Sequence, residues 1–302
     1  MELVKRIDIH CHTISEKGIL RHNGKTFATP EELIAIHDRL GVERGVLLPI
    51  INPAGTYDNN TMREIVGIAR QYGDRFSWFC NVDPMQGRNS PETDFDRILN
   101  YYKELGAVGV GELTCNLPMD DPRVEALFAA CERQKLPVTI HIGDQGGDYG
   151  LVDGLGLPLL EKVLQKFPRL VIIGHSQKFW AEISADVTLE GRKGYPTGPV
   201  VPGGRVVELM RKYPNLHADI SASSGNNAIR RDEAFGLAFL EEFQDRIYYG
   251  MDLVAPEEEQ RPFAGLGAWL DQCMQEGKLS YEAYEKISRG NALRLLKGEL
   301  WK

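Results

Sequence analysis

Short β-rich apolar runs alternate with amphipathic helical patterns along almost the whole chain. The strand-like runs are Arg6–His12, Arg44–Ile51, Arg75–Val82, Ala107–Thr114, Pro137–Gly143, Arg169–His175, Leu216–Ala222 and Arg246–Asp252. Between them the best-marked helix is Glu31–Leu40. Thr29 is placed to cap it, Pro30 suits its first position, and Glu32 completes a T-x-x-E capping box. Asp121-Pro122 opens a second helix in the same manner. Lys-Phe-Pro before Arg169 and Lys-Tyr-Pro before Asn215 close two others, because proline cannot continue the hydrogen-bond ladder. Most strand starts fall about 30–38 residues apart, the length of one strand-plus-helix unit. Eight such units predict an α/β fold of the (β/α)8 TIM-barrel kind, a single domain spanning residues 1–302. An open doubly wound sheet is the alternative, and the chain lacks the glycine-rich fingerprint such sheets use for dinucleotides. Two connections exceed the common spacing, Thr13–Ala28 after the first strand and Ser176–Gly203 after the sixth. Both leave the strand ends where barrel active sites are built, and both are expected to act as substrate lids.

Composition narrows the partners. Of 302 residues, 42% are hydrophobic and 26% charged, enough to bury a full core. With 35 Lys and Arg against 43 Asp and Glu the formal charge is −8, which repels nucleic acid and anionic lipid. No apolar run reaches the roughly 18 residues of a spanning helix. The first strand starts near Ile7, so no cleavable leader is expected. Five scattered cysteines without a CxxC pair argue against a disulfide framework or a thiolate zinc site. A reducing, cytoplasmic setting is therefore expected.

The candidate chemistry lies at strand ends. In Asp8-Ile9-His10-Cys11-His12, strict alternation would project His10 and His12 to one side and Ile9 and Cys11 to the other. Two neutral imidazoles converging in this way suit Zn²⁺ or a similar divalent ion. His141, His175, Asp252 and Glu112 close the fifth, sixth, eighth and fourth strands, each at the end of an apolar run. Burying such groups without a partner is costly, and in a barrel these ends form one ring, so a shared metal centre is expected. His37 falls inside a helix and His217 at the start of a strand, both away from this chemistry.

These motifs resemble those of the amidohydrolase superfamily. The similarity is to the branch of amidohydrolase-related TIM-barrel metal-dependent hydrolases that includes aminocarboxymuconate-semialdehyde decarboxylase. It runs from about Ile7 to Leu296. It covers Asp8-x-His10-x-His12, Pro137-Val-x-x-His141-x-Gly143, Gly174-His175, Arg246-x-x-x-Gly250-x-Asp252 and Ile287-x-x-Gly290-Asn291-Ala292-x-Arg294-Leu295. The resemblance implies that His10, His12, His141 and Asp252 ligate one divalent metal, usually zinc, with one or two ions at the site. It implies that His175 either holds a second ion or activates the attacking water, and that Asp252 also shuttles the proton. Glu112 matches the carboxylate that bridges two metals in some relatives; the other reading has it orienting a ligand imidazole. The chain departs from the branch after Gly174-His175, where Ser176-Gln177-Lys178-Phe179-Trp180 follows. It departs again after Asp252, where Leu253-Val254 precede Pro256.

The implied activity is metal-dependent hydrolysis of an amide, lactone or ester in a small molecule, carboxylated ones included. The alternative is a non-oxidative decarboxylase of the same fold, and a catalytically dead binding barrel would not be expected to keep its ligand positions intact. Arg21, His22 and Lys25, Lys178 and Trp180, and Arg230 and Arg231 are candidates for recognising an anionic substrate group. Ser221, Ser223 and Ser224 are expected to hydrogen-bond in the pocket. The partners expected are a small-molecule substrate and further copies of the chain in a homo-oligomer.

Overall fold

The computed structural model describes residues 2–21, 23–53, 58–146 and 148–301. Eight parallel strands follow the predicted runs, mostly over a shorter core of each. They are β1 (Arg6–Cys11), β2 (Val42–Leu47), β3 (Phe76–Trp78), β4 (Val110–Leu113), β5 (Val138–Gly143), β6 (Ile172–His175), β7 (Leu216–Asp219) and β8 (Ile247–Tyr248). β1 to β3 pair in order, as do β4 to β8. The two arcs join through the Cys80–Val110 bridge on one side and the Cys11–Leu253 bridge on the other, which closes the barrel. A ninth, two-residue strand (Leu151–Val152) adds to the end of β5 and has no counterpart among the predicted runs.

Local chemistry sets the helices as expected. The helix α1 (Pro30–Leu40) has the full Thr29/Glu32 capping box and ends on Gly41 in the left-handed conformation, where glycine carries no Cβ penalty. Asp121 caps the helix Pro122–Gln134 through the amide of Arg123. The helices Pro158–Lys166 and Arg205–Lys212 stop just before the two predicted prolines.

Two apolar layers result. The larger lies between the strands and the helices around them. The smaller fills the barrel, with Ile7, Ile9, Val46, Leu48, Phe79, Val171, Ile173 and Tyr248 meeting Ala292 and Leu295. The C-terminal segment closes the end where the strands begin: Arg289 donates to the carbonyl of Lys5 and Trp301 to that of Arg169. Chemistry is thereby left to the opposite rim. The long connection after β6 is partly core rather than a free lid. It holds the helix Gln177–Ala181 and buries Phe179, Trp180, Ile183 and Arg192. No helix among the described residues is long and apolar enough to cross a membrane.

Candidate active site

β1 does not alternate strictly. Its register against β2 pairs Asp8 with Gly45 but Cys11 with Leu47, so one extra residue sits in β1 between them. Such a bulge changes the phase of the side chains beyond it. Ile9 therefore lies in the barrel interior with Ile7, whereas Cys11 lies in the outer layer, and the two do not share a side as alternation predicted. His10 and His12 nevertheless converge. Their Nε2 atoms stand 3.2 Å apart, and both rings are buried.

Two carboxylates complete a cage around that point. Asp252 Oδ1 is 3.1 Å from His12 Nε2 and 3.8 Å from His10 Nε2. Glu112 Oε2 is 3.6 Å from His10 Nε2 and 3.7 Å from His12 Nε2. Ligand atoms bound about 2.0–2.2 Å from one ion in tetrahedral or octahedral geometry lie about 3–3.6 Å from each other, so each carboxylate stands at close to ligand spacing from the two imidazoles. The other oxygens face a second pair of imidazoles. Glu112 Oε1 is 2.7 Å from His141 Nδ1 and 3.9 Å from His175 Nε2, and Asp252 Oδ2 is 3.4 Å from His175 Nε2. Glu112 thus stands between the His10/His12 pair and the His141/His175 pair, one oxygen toward each. All six residues expected at the metal and its water meet at one rim.

Asp219, at the end of β7, was not singled out from the sequence. It is fully buried, with Oδ2 3.0 Å from His10 Nδ1 and Oδ1 3.0 Å from His175 Nδ1. His12 is held likewise, its Nδ1 2.9 Å from the carbonyl of Leu48. Each acceptor fixes the proton on Nδ1 and turns the Nε2 lone pair toward the cage, the arrangement a metal-ligating histidine needs. The rule that exposed Glu112 and Asp252, a carboxylate closing an apolar strand, also marks Asp219 in Leu216-His-Ala-Asp219. Ser221 supports it with its amide and hydroxyl, and its Oγ lies 3.1 Å from His175 Nδ1.

The electrostatics follow from packing opposite charges out of water. Burial alone would lower His10, but Asp252 and Asp219 raise it well above the ordinary imidazole range. Burial also works against His175, and Asp219 still lifts it to about 9. The carboxyls of Glu112 and Asp252 would rise through burial; the charges of His141 and His10 respectively, with histidine hydrogen bonds, hold both low. Protons and a metal ion therefore compete for the same Nε2 atoms. Asp252 itself has φ 52, a left-handed backbone that aspartate tolerates better than most residues, and its amide donates to the carbonyl of His10.

Above the cage, the Tyr149 ring lies tilted on His141 with centroids 4.4 Å apart. Gly150 makes this approach feasible, because a Cβ there would sit 2.7 Å from the carbonyl oxygen of His141 and 2.8 Å from its ring. No sequence signal marked Tyr149. Burial, Glu112 and Asp252 push its phenol well above the ordinary range while Arg21 acts in the other direction, so it stays a hydrogen-bond donor. Arg21 stacks over Phe27 at 5.4 Å, and Phe27 meets His12 edge-on at 6.5 Å.

The remaining candidates are placed differently. Lys178 is buried and ion-paired with Asp148 at 2.6 Å, clamping the segment that carries Tyr149. Trp180 is buried with its indole N–H on the Asp219 carbonyl, where it supports the strand end. Arg230 is exposed, bonded to Asn226 and packed over Trp269. Arg231 lines a separate cavity of about 160 Å³ with Asp186 and Thr188. Lys25 lies in the turn that returns to Arg21. His22 lies outside the described residues. Of the three serines, Ser221 reaches the His175 imidazole.

Comparison with known proteins identifies the family and the fold. A family model described as amidohydrolase matches residues 7–298. An uncharacterized TIM-barrel protein from Bordetella bronchiseptica superposes with a TM-score of 0.66 at 16% identity, covering 98% of this chain and 99% of that one. A dihydroxybenzoic acid decarboxylase from Polaromonas sp. JS666, solved with manganese and 2-nitroresorcinol, gives 0.61 at 16% identity, covering 98% and 97%. A protein from Pseudomonas putida assigned as a 2-pyrone-4,6-dicarboxylic acid hydrolase gives 0.61 at 16% identity, covering 98% of both chains. No curated protein matches at a significant level. With the family model spanning nearly the whole barrel, the chain belongs to the amidohydrolase family.

Proposed function

We propose that the protein is a metal-dependent hydrolase that uses activated water to cleave an amide, lactone or ester bond in a small carboxylated molecule. The observation that carries this reading is the convergence of His10 and His12 Nε2 with Asp252 Oδ1 and with Glu112 Oε2, at separations of 3.1 to 3.8 Å that are close to those of ligands around a divalent cation. A bound cation, zinc in this reading, supplies Lewis acidity, polarising a carbonyl and lowering the pKa of water. The chain's own groups do the rest. Asp252, beside both His12 and His175, accepts the proton of the attacking water and returns it to the leaving group. His175, fixed by Asp219, holds that water or a second cation. Tyr149 donates its O–H to the oxygen on which charge develops. Arg21 faces the substrate's carboxylate.

The second reading is non-oxidative decarboxylation, favoured by the likeness to a manganese-containing decarboxylase. There the same groups would protonate a ring carbon as CO₂ leaves. The test is a panel of lactones, esters, amides and carboxylated aromatics, run on metal-loaded protein in H₂¹⁸O. Label incorporated into a carboxylate product supports hydrolysis. Release of CO₂ with no label in the organic product supports decarboxylation, and turnover of neither class contradicts the enzymatic reading.

A further inference from the structure

His37 was set aside from the sequence as a helix residue, yet it is fully buried on the barrel face of α1, and its Nε2 lies 3.2 Å from Asp8 Oδ2. Among the described residues its Nδ1 has no hydrogen-bond partner, and the ring's closest polar contact is with Asp8, the Cys11 thiol being 3.9 Å away. Gly45 admits the ring: a Cβ there would stand 2.9 Å from His37 Cε1 and 2.8 Å from Cys11 Sγ.

Asp8 sits at the start of the β1 bulge and spends its other oxygen there. Oδ1 accepts from the amide of His10 at 3.0 Å and from the amide of Met251 at 2.9 Å. An extra residue in one strand leaves backbone groups that the ladder does not pair. Here the Ile9 amide still bonds the Tyr249 carbonyl, but the next return bond comes from Asp252 to His10, skipping Met251. The Asp8 carboxylate takes the two amides so released. Those amides belong to a cage ligand, His10, and to the residue just before another, Asp252.

We propose that His37 is a positioning residue for the metal centre: by holding Asp8 from behind the barrel wall, it fixes the bulge that aims His10 and Asp252 at one cation. The inference rests on reading the cage as a metal site. Its action is through hydrogen-bond geometry, since a rotated Asp8 side chain would release both amides and let β1 and the segment carrying Asp252 shift. Outer partners of this kind commonly set metal affinity by 10- to 100-fold.

The experiment is competition between the full-length protein and a chromophoric chelator for Zn²⁺, with far-UV circular dichroism and thermal unfolding on the same samples. H37L is expected to fold and bind Zn²⁺ at least about tenfold more weakly than wild type. H37Q, whose amide N–H reaches Asp8, is expected to recover most of that loss. A purely structural role would lower the unfolding temperature and leave the affinity of the folded protein unchanged. H37L that binds within twofold of wild type therefore overturns the inference while leaving the metal reading intact. A wild-type chain that takes up no Zn²⁺ contradicts the metal reading and this inference with it. Should H37L not fold, H37N, too short to reach Asp8 in the same way, replaces it; failure of both to fold where H37Q folds assigns His37 a structural role and also overturns the inference.

Discussion

The active-site rim and the lower barrel each bury a histidine out of contact with bulk water, and the two are driven in opposite directions. At the rim His175 rises to about 9 because Asp219 outweighs burial. Lower down, His217 falls to about 3, through burial and then the charges of Arg246 and Arg294. His217 stacks on Tyr248 and its Nδ1 lies 2.9 Å from the Tyr248 hydroxyl, a neutral interaction among apolar neighbours. The same side chain at similar burial is thus charge-compensated in one place and neutral packing in the other. What differs is the sign of the surrounding charge. The rim gathers carboxylates that need a cation, whether proton or metal; the lower barrel is closed by an apolar plug and two arginines.

Breaking the rim has the largest expected effect. H10A or D252N should reduce turnover by at least about a thousandfold while circular dichroism stays that of the wild type, because either change removes a cage donor or the proton acceptor. Next is D219N. It removes the charge that holds His10 and His175, so the His175 titration followed by NMR in the chelator-treated protein should fall from about 9 toward the ordinary imidazole value. Zn²⁺ affinity should drop about 10- to 100-fold. An unmoved titration would remove Asp219 from the account.

The lower barrel gives a smaller, pH-dependent effect. The folded His217 value lies below the unfolded value of about 6.5, so the unfolded chain takes up the proton first as pH falls. Stability is therefore lost between about pH 6.5 and 3, and this contribution is level above and below that window. H217Q should be less acid-sensitive than wild type by roughly 2–4 kcal/mol between pH 7 and pH 4, measured by urea unfolding. Equal pH slopes would contradict the assignment of a neutral His217. Smaller again is Y149F, expected to lower kcat by about tenfold with little change in metal affinity, since the phenol donor acts on substrate and not on the ion. R230A should leave turnover unchanged, because its guanidinium is occupied by Asn226 and Trp269 on the surface.

The contrast also explains what could be read from the chain alone. Eight strands and their helices are written in local patterns, apolar runs, capping boxes and prolines, and all appear. Polar residues that close apolar strands pointed to His141, His175, Glu112 and Asp252, because burial makes such positions expensive without a partner. Asp219 obeys the same rule, but a run read as Leu216–Ala222 puts it inside the strand, whereas the strand ends at Asp219. The β1 bulge was not legible: Asp8 accepts amides from β1 and from the segment after β8, a relation between positions 8, 10 and 251 that no periodicity carries. Tyr149 and Lys178 were likewise settled by tertiary packing, the first through Gly150 and the second through Asp148. His37 looked like an ordinary helix residue because its partner lies on a strand of the barrel wall.

The central claim is that side chains from separate strands hold one cation between them. Its most direct measurement is an anomalous difference map from crystals of Zn²⁺-loaded protein, collected above and below the zinc edge. The account predicts a peak about 2.0–2.2 Å from His10 Nε2, His12 Nε2 and an Asp252 oxygen, with Glu112 turned toward it. A map with no peak among these residues, or with zinc bound only elsewhere on the chain, would contradict it.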